Sequence, residues 1–218
     1  MSPTRKDFLK ISAGGALAAN TIGTERISAA PAGPDPVCPA DQWGARIVHK
    51  AARSLDILIL GGTGFIGPFQ VRSALDRGHN VTLFNRGSGR NMFPYLETLR
   101  GDRNGDYESL QGRRWDVVID NATNNRQWIK TAAEALKDSV DQFMFVSSRS
   151  AYSDVSRVPM TADAPTWTFE TAEVPRDQER LPYGLGKAEM ERIAQRIMPG
   201  RNTCLLYTSP SPRDQRGS

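Results

Sequence analysis

The chain has 218 residues, 39% hydrophobic and 24% charged, with 19 Gly, 14 Pro and two Cys. That composition suits one domain with a core of its own and part of a second. It excludes a spanning helix, because no run of about 18 apolar residues occurs. Cys38 and Cys204 make neither a metal-ligand cluster nor a disulfide framework. The formal net charge of +4 sits in the ends: residues 1–30 carry Arg5, Lys6, Lys10 and Arg26 against Asp7 and Glu25, and residues 204–218 carry Arg213 and Arg216 against Asp214. Residues 31–203 are left near neutrality, which argues against a nucleic-acid-binding face.

In chain order, Thr4-Arg5-Lys6-Asp7-Phe8-Leu9-Lys10 precedes a weakly apolar run of small residues over 11–23, with Ser28, Ala29, Ala30 and Ala32 as exit positions. This is the layout of a bacterial export signal over residues 1–30. It resembles a twin-arginine signal in which Lys6 stands where the second arginine belongs. That resemblance implies periplasmic or exported residence for a protein that folds around its cofactor first; a cytoplasmic protein with a disordered arm is the alternative. Residues 31–53, rich in Pro, Ala and charge, read as a linker.

An alternation of strands and helices follows. Residues 55–60 form a short apolar run closed by glycines, the pattern of a parallel strand buried on both faces. A helix is predicted over 65–77 with Gly78 past its end. Strands are predicted over 81–84, 97–100, 116–120 and 142–146, and helices over 106–110, 127–139 and 183–197. A sixth strand is expected to begin near Asn202. Spacing of this kind means a parallel, doubly wound α/β sheet, in the order 3-2-1-4-5-6.

Between the first strand and first helix lies Gly61-Gly62-Thr63-Gly64-Phe65-Ile66-Gly67. Gly61 permits the tight turn, Gly64 lets backbone approach a pyrophosphate, and Gly67 allows close packing of the helix. The amides of Phe65, Ile66 and their neighbours then face the phosphates of a dinucleotide. At the end of the second strand, where an NAD site typically has an acid for the ribose hydroxyls, stands Asn85-Arg86-Gly87-Ser88. An arginine and a hydroxyl suit a ribose 2′-phosphate, which favours NADP over NAD; the plainer reading leaves Arg86 as a solvated turn residue. Asp102 is a candidate for the adenine amine or a plain loop acid, and Asn121 and Ala122 fall at the mouth of the cofactor crevice.

The phosphate loop, Val146-Ser147-Ser148 with Tyr152 behind it, and Tyr183-Gly184-Leu185-Gly186-Lys187 resemble the short-chain dehydrogenase/reductase superfamily, in its extended and atypical NAD-dependent epimerase/dehydratase branch. Val81–Gly87 with Gly101-Asp102-Arg103 is similar to an atypical subgroup that includes isoflavone-reductase-like proteins and chloroplast stem-loop RNA-binding relatives. The resemblance covers residues 54–203 and implies a Rossmann-type domain and a small-molecule substrate, sugar-like or a ketone or alcohol. Tyr183 and Lys187, four apart, share one helix face. A nearby ammonium lowers the phenol's affinity for its proton, so Tyr183 can exchange a proton with substrate as hydride moves. Lys187 would also hold the nicotinamide ribose, and Ser148 would orient the substrate carbonyl. In the alternative, Tyr183 is packed, Lys187 is solvated, and the protein binds NAD(P) or associates with RNA without chemistry. His49, His79, Trp115, Trp128 and Trp167 carry no assignment beyond surface, core or loop.

Residues Cys204 to Asp214 resemble the in-frame translation of a transposase sequencing adaptor, so native sequence is expected to stop near Thr203 and the sheet to be incomplete at its C-terminal end. In the epimerase-type architecture the substrate portion comes mainly after the sixth strand. The expectation is therefore a chain inactive by itself, cut from a full-length parent that could form a homodimer.

Overall fold

A computed structural model describes residues 48–88, 92–156 and 161–207. The signal-like segment 1–30, most of the linker and the tail beyond residue 207 lie outside the described residues.

Six strands form one parallel sheet: β1 (Asp56–Leu60), β2 (Asn80–Asn85), β3 (Thr98–Arg100), β4 (Trp115–Asp120), β5 (Val140–Ser148) and β6 (Asn202–Tyr207). Their order across the sheet is 3-2-1-4-5-6, with every neighbouring pair parallel. The strand alternation of β1 explains why the run is apolar throughout. Leu58 and Leu60 enter a core shared with helices α2 (Arg126–Leu136) and α3 (Tyr183–Ile197), where Ile129, Leu136, Met190 and Ala194 meet them. Ile57 and Ile59 enter the opposite core, against Val71 and Ala74 of helix α1 (Gly67–Asp76). Both faces are covered, as a parallel sheet requires.

Helix α3 has the predicted bounds; the others shift for local reasons. Helix α1 begins at Gly67 because residues 61–66 are spent on the loop, with Gly64 N–H bonded to Gly61 O at 3.4 Å and Pro68 fitting the first turn. The helix expected over 106–110 is a single 3₁₀ turn at Glu108–Leu110. Helix α2 is capped by Asn125, whose side chain accepts from Gln127 N–H at 2.9 Å. Strand β5 starts two residues early because buried Val140 pairs with Trp115. The long β5–α3 connection holds a small core of its own, Phe169, Leu181 and Leu185, flanked by Trp167 and Val174.

Candidate functional site

The carboxyl ends of β1, β2, β3 and β4 open into a cleft of about 500 Å³. Gly61, Thr63, Gly64, Asn85, Arg86, Asp102 and Asn121, all named from the sequence, line it together with Ser88, Arg100, Arg103 and Trp128. Phe65, Ile66, Gly67, Ala122 and Lys187, also named as cofactor residues, do not: Phe65 is 85% exposed, Ile66 and Gly67 are spent on the start of α1, and Ala122 and Lys187 are buried.

Gly61 turns the chain at φ +82°, where a side chain would be strained. A Cβ on Gly67 would run into the backbone of Gly62, so this glycine brings the start of α1 against the loop itself rather than simply against the sheet. A Cβ on Gly64, by contrast, would meet only Gly61 O at 3.8 Å. No side chain caps α1; Gly67 N–H donates to Gly64 O and the Phe69 and Gln70 N–H groups to Ile66 O, each at 3.2 Å, so a pyrophosphate would approach the glycine loop ahead of the helix. Asn121 is locked by paired amide bonds with Gln70, at 2.7 and 3.1 Å. Asn85 Oδ1 accepts from Gly87 N–H at 2.8 Å, and Asp102 Oδ1 from Asn104 N–H at 2.8 Å, so both residues shape turns at the cleft rim. Loop, helix terminus and volume fit a dinucleotide.

The floor of the cleft contains a charge cluster that the sequence reading missed. Asp120, fully buried at the end of β4, takes the Arg103 guanidinium and the Ala122 N–H on the same oxygen, the latter at 2.7 Å. Arg103 also lies over the Trp128 ring, 5.4 Å from its centroid, and the Trp128 indole donates to Asn104 at 2.8 Å. Trp128 is therefore a wall of the cleft. Ala122 passes the network on: its carbonyl, with that of Val146, accepts from Lys187 Nζ at 2.8 and 2.9 Å. A carboxylate ending the apolar run Val117-Val118-Ile119 was the available signal, because such a group needs a buried partner.

Lys187 is only 3% exposed, not solvated. Burial, only partly offset by Asp120 and Glu191, holds its pKa down to about 8. The ammonium lies 4.8 Å from the Phe145 ring centroid and 5.8 Å from that of Tyr183. Lys187 and Tyr183 are thus brought together, whereas Ser148 is not joined to them. Ser148 Oγ accepts from Ser150 N–H at 3.2 Å and caps a 3₁₀ turn, and Ser147 bonds Glu191 of α3. Tyr183 is half exposed and lines a separate hollow of about 420 Å³ with Ser150, Trp167, Ala172 and Pro182. Gly184 and Gly186 let α3 sit this close: a Cβ on either would collide with Ser150 O or Asn124 Oδ1. His79 lies at the opposite end of the sheet, where its Nδ1 accepts from Leu55 N–H at 3.2 Å.

No protein-family model matches the chain. Among curated proteins, it is 30% identical over 195 residues to UDP-glucose 4-epimerase of Neisseria meningitidis serogroup B, covering 74% of this chain and 55% of that protein. It is also 29% identical over 164 residues to the chloroplast stem-loop binding protein of 41 kDa b of Arabidopsis thaliana, covering 67% of this chain and 40% of the relative. The chain thus spans about half the length, or less, of these relatives. The crystal structure of UDP-glucose 4-epimerase from Brucella ovis in complex with NAD superposes with a TM-score of 0.55 at 18% identity, over 71% of this chain and 52% of that one. By sequence the chain is similar to UDP-glucose 4-epimerases, and its six-stranded parallel sheet has the Rossmann-type fold of the epimerase structures.

Proposed function

We propose that the protein is an NAD(P)-dependent epimerase, dehydratase or reductase acting on a sugar-like or ketone/alcohol substrate, with NADP preferred. The observation that carries this reading is the first turn of α3, where the Tyr183 ring faces the buried Lys187 ammonium, which bonds the carbonyl of Ala122, the residue after cleft-lining Asn121. A bound nicotinamide would supply or accept the hydride. Tyr183 takes the proton of a substrate hydroxyl, or returns it. With two of its three N–H groups on Ala122 and Val146, Lys187 keeps one for a ligand hydroxyl. Ser148, which accepts from Ser150, still has its own proton to donate to a substrate oxygen. Arg86 and Ser88 at the cleft rim support the preference for a ribose 2′-phosphate.

Tyr183→Phe, made in a form of the protein as long as its relatives, tests the assignment. Turnover on sugar nucleotides, followed by reduced nicotinamide or product epimer, should fall about 10²- to 10⁴-fold while cofactor affinity stays within about twofold. Intact turnover would remove Tyr183 from the chemistry. One observation favours a second reading, cofactor binding without catalysis: Ser148 caps its own turn and shares no hydrogen bond with Tyr183. On that reading Tyr183→Phe changes nothing measurable, because the wild type has no turnover to lose. Residence outside the cytoplasm is part of the proposal, and a processed form in the periplasmic fraction is its check.

A further inference from the structure

The rim of the nucleotide cleft carries a second cation beside Arg86. Asn85 and Arg100 are register partners across β2 and β3, so the last residue of β3 delivers its side chain next to the turn that follows β2. Gly87 makes that turn at φ +72°, and a Cβ placed on it would lie 3.0 Å from Arg100 Nε and 3.3 Å from Arg100 Cζ. The guanidinium therefore lies against the turn in space that only glycine leaves open. Arg86 and Ser88 flank this glycine, and all four residues line the cleft.

Charge pairing separates these two arginines from several others. Arg103, Arg113, Arg114 and Arg192 each meet a carboxylate. Among the described residues, Arg86 and Arg100 meet none; both are exposed, and Asp102, the one acid lining the cleft, bonds its own loop. Two guanidiniums without a carboxylate partner at one rim of the cleft leave positive charge there for an anionic ligand to meet. A phosphomonoester, with close to two negative charges and three acceptor oxygens, answers both planar forks.

We propose that Arg100 is the second cation of a 2′-phosphate subsite, completing with Arg86 and Ser88 the part of the cleft that distinguishes NADP from NAD. This rests on the reading of Arg86 as a 2′-phosphate ligand. It makes Arg100 a determinant of specificity, with no part in binding the 5′-diphosphate.

The test is calorimetric titration of the full chain with adenosine 2′,5′-bisphosphate and, separately, with 5′-ADP. Arg100→Ala should weaken the 2′,5′-bisphosphate about tenfold and leave 5′-ADP within about twofold, since one charge-assisted contact is lost. Arg100→Lys should recover part of the difference, keeping charge without the planar fork. An equal loss on both ligands, or no loss on either, would overturn the role of Arg100. If Arg86→Ala abolishes the preference and Arg100→Ala does not, the NADP reading stands and the Arg100 subsite falls. If the wild type shows no preference for the 2′,5′-bisphosphate, both fall together. Arg100 is exposed on an edge strand, and an unchanged far-ultraviolet dichroism spectrum establishes that the variants fold.

Discussion

Replacing Asp120 by Ala should damage the protein more than any other single change at the floor of the cleft. The carboxylate is 0% exposed and the Arg103 side chain only 12% exposed, so the change strands a guanidinium with little water to replace its anion. Removing one partner of a buried pair costs about 3–5 kcal/mol. The Ala122 N–H loses its acceptor in the same stroke. The Trp128 ring still faces Arg103 and offers partial relief, which places the expected cost near the lower end, at about 3 kcal/mol. For a chain of this size that lowers the melting temperature by roughly 6–12 °C. Asp120→Asn, which still accepts from Ala122, should cost less. The double variant Arg103→Met/Asp120→Leu should be more stable than Asp120→Ala alone, because no lone charge remains. Urea denaturation with a double-mutant cycle reads all of this. A loss below about 1 kcal/mol for Asp120→Ala would refute the buried-pair argument.

Three further outcomes follow from the same geometry. Lys187 should titrate near 8 in lysine-labelled protein followed by NMR, against an ordinary value of 10.5; titration at the ordinary value would contradict its burial. Between those two values the unfolded chain binds a proton the folded one does not, so stability should rise with pH across this window. The gain is complete above 10.5 and lost as pH falls through 8, and Lys187→Met should abolish about 3 kcal/mol of that rise. Gly64→Ala and Gly67→Ala should separate binding from folding. The first adds a Cβ that meets only Gly61 O at 3.8 Å, so it should leave stability within about 0.5 kcal/mol and weaken dinucleotide binding at least about tenfold. The second drives a Cβ into Gly62 and should cost about 1–3 kcal/mol in denaturant melts; similar behaviour of the two variants would disprove this division.

Much of this was legible in the residues. Apolar runs of four to six between Gly and polar turns fix the strands, because a parallel strand covered on both faces has no polar side to confuse the pattern. The glycine loop is equally plain, since its spacing answers a steric demand that neighbours in sequence create. What escaped was anything made between distant segments. Arg103 and Asp120 are 17 positions apart, and their meeting depends on β4 lying beside β1 while the β3 loop folds over the strand ends. Lys187 read as either catalytic or solvated; that its ammonium turns inward depends on Ala122 and Val146 presenting carbonyls at the ends of two strands. Trp128 was an unassigned aromatic until Asn104 and Arg103 fixed it at the cleft wall. Arg100 gave no signal because β3 is three residues long and its register with β2 is set by the sheet.

The seat of Lys187 on two backbone carbonyls also changes what kind of donor it is. A surface lysine samples many rotamers, and a ligand that captures it must offset roughly 2 kcal/mol of lost side-chain freedom. Here folding has already removed that freedom, because leaving Ala122 O and Val146 O would strip two buried bonds from the ammonium. The ammonium is thereby held at a point set by β5 and by the residue just past the end of β4. On the proposed function, a ligand hydroxyl would meet a charge already placed by the sheet instead of a mobile one.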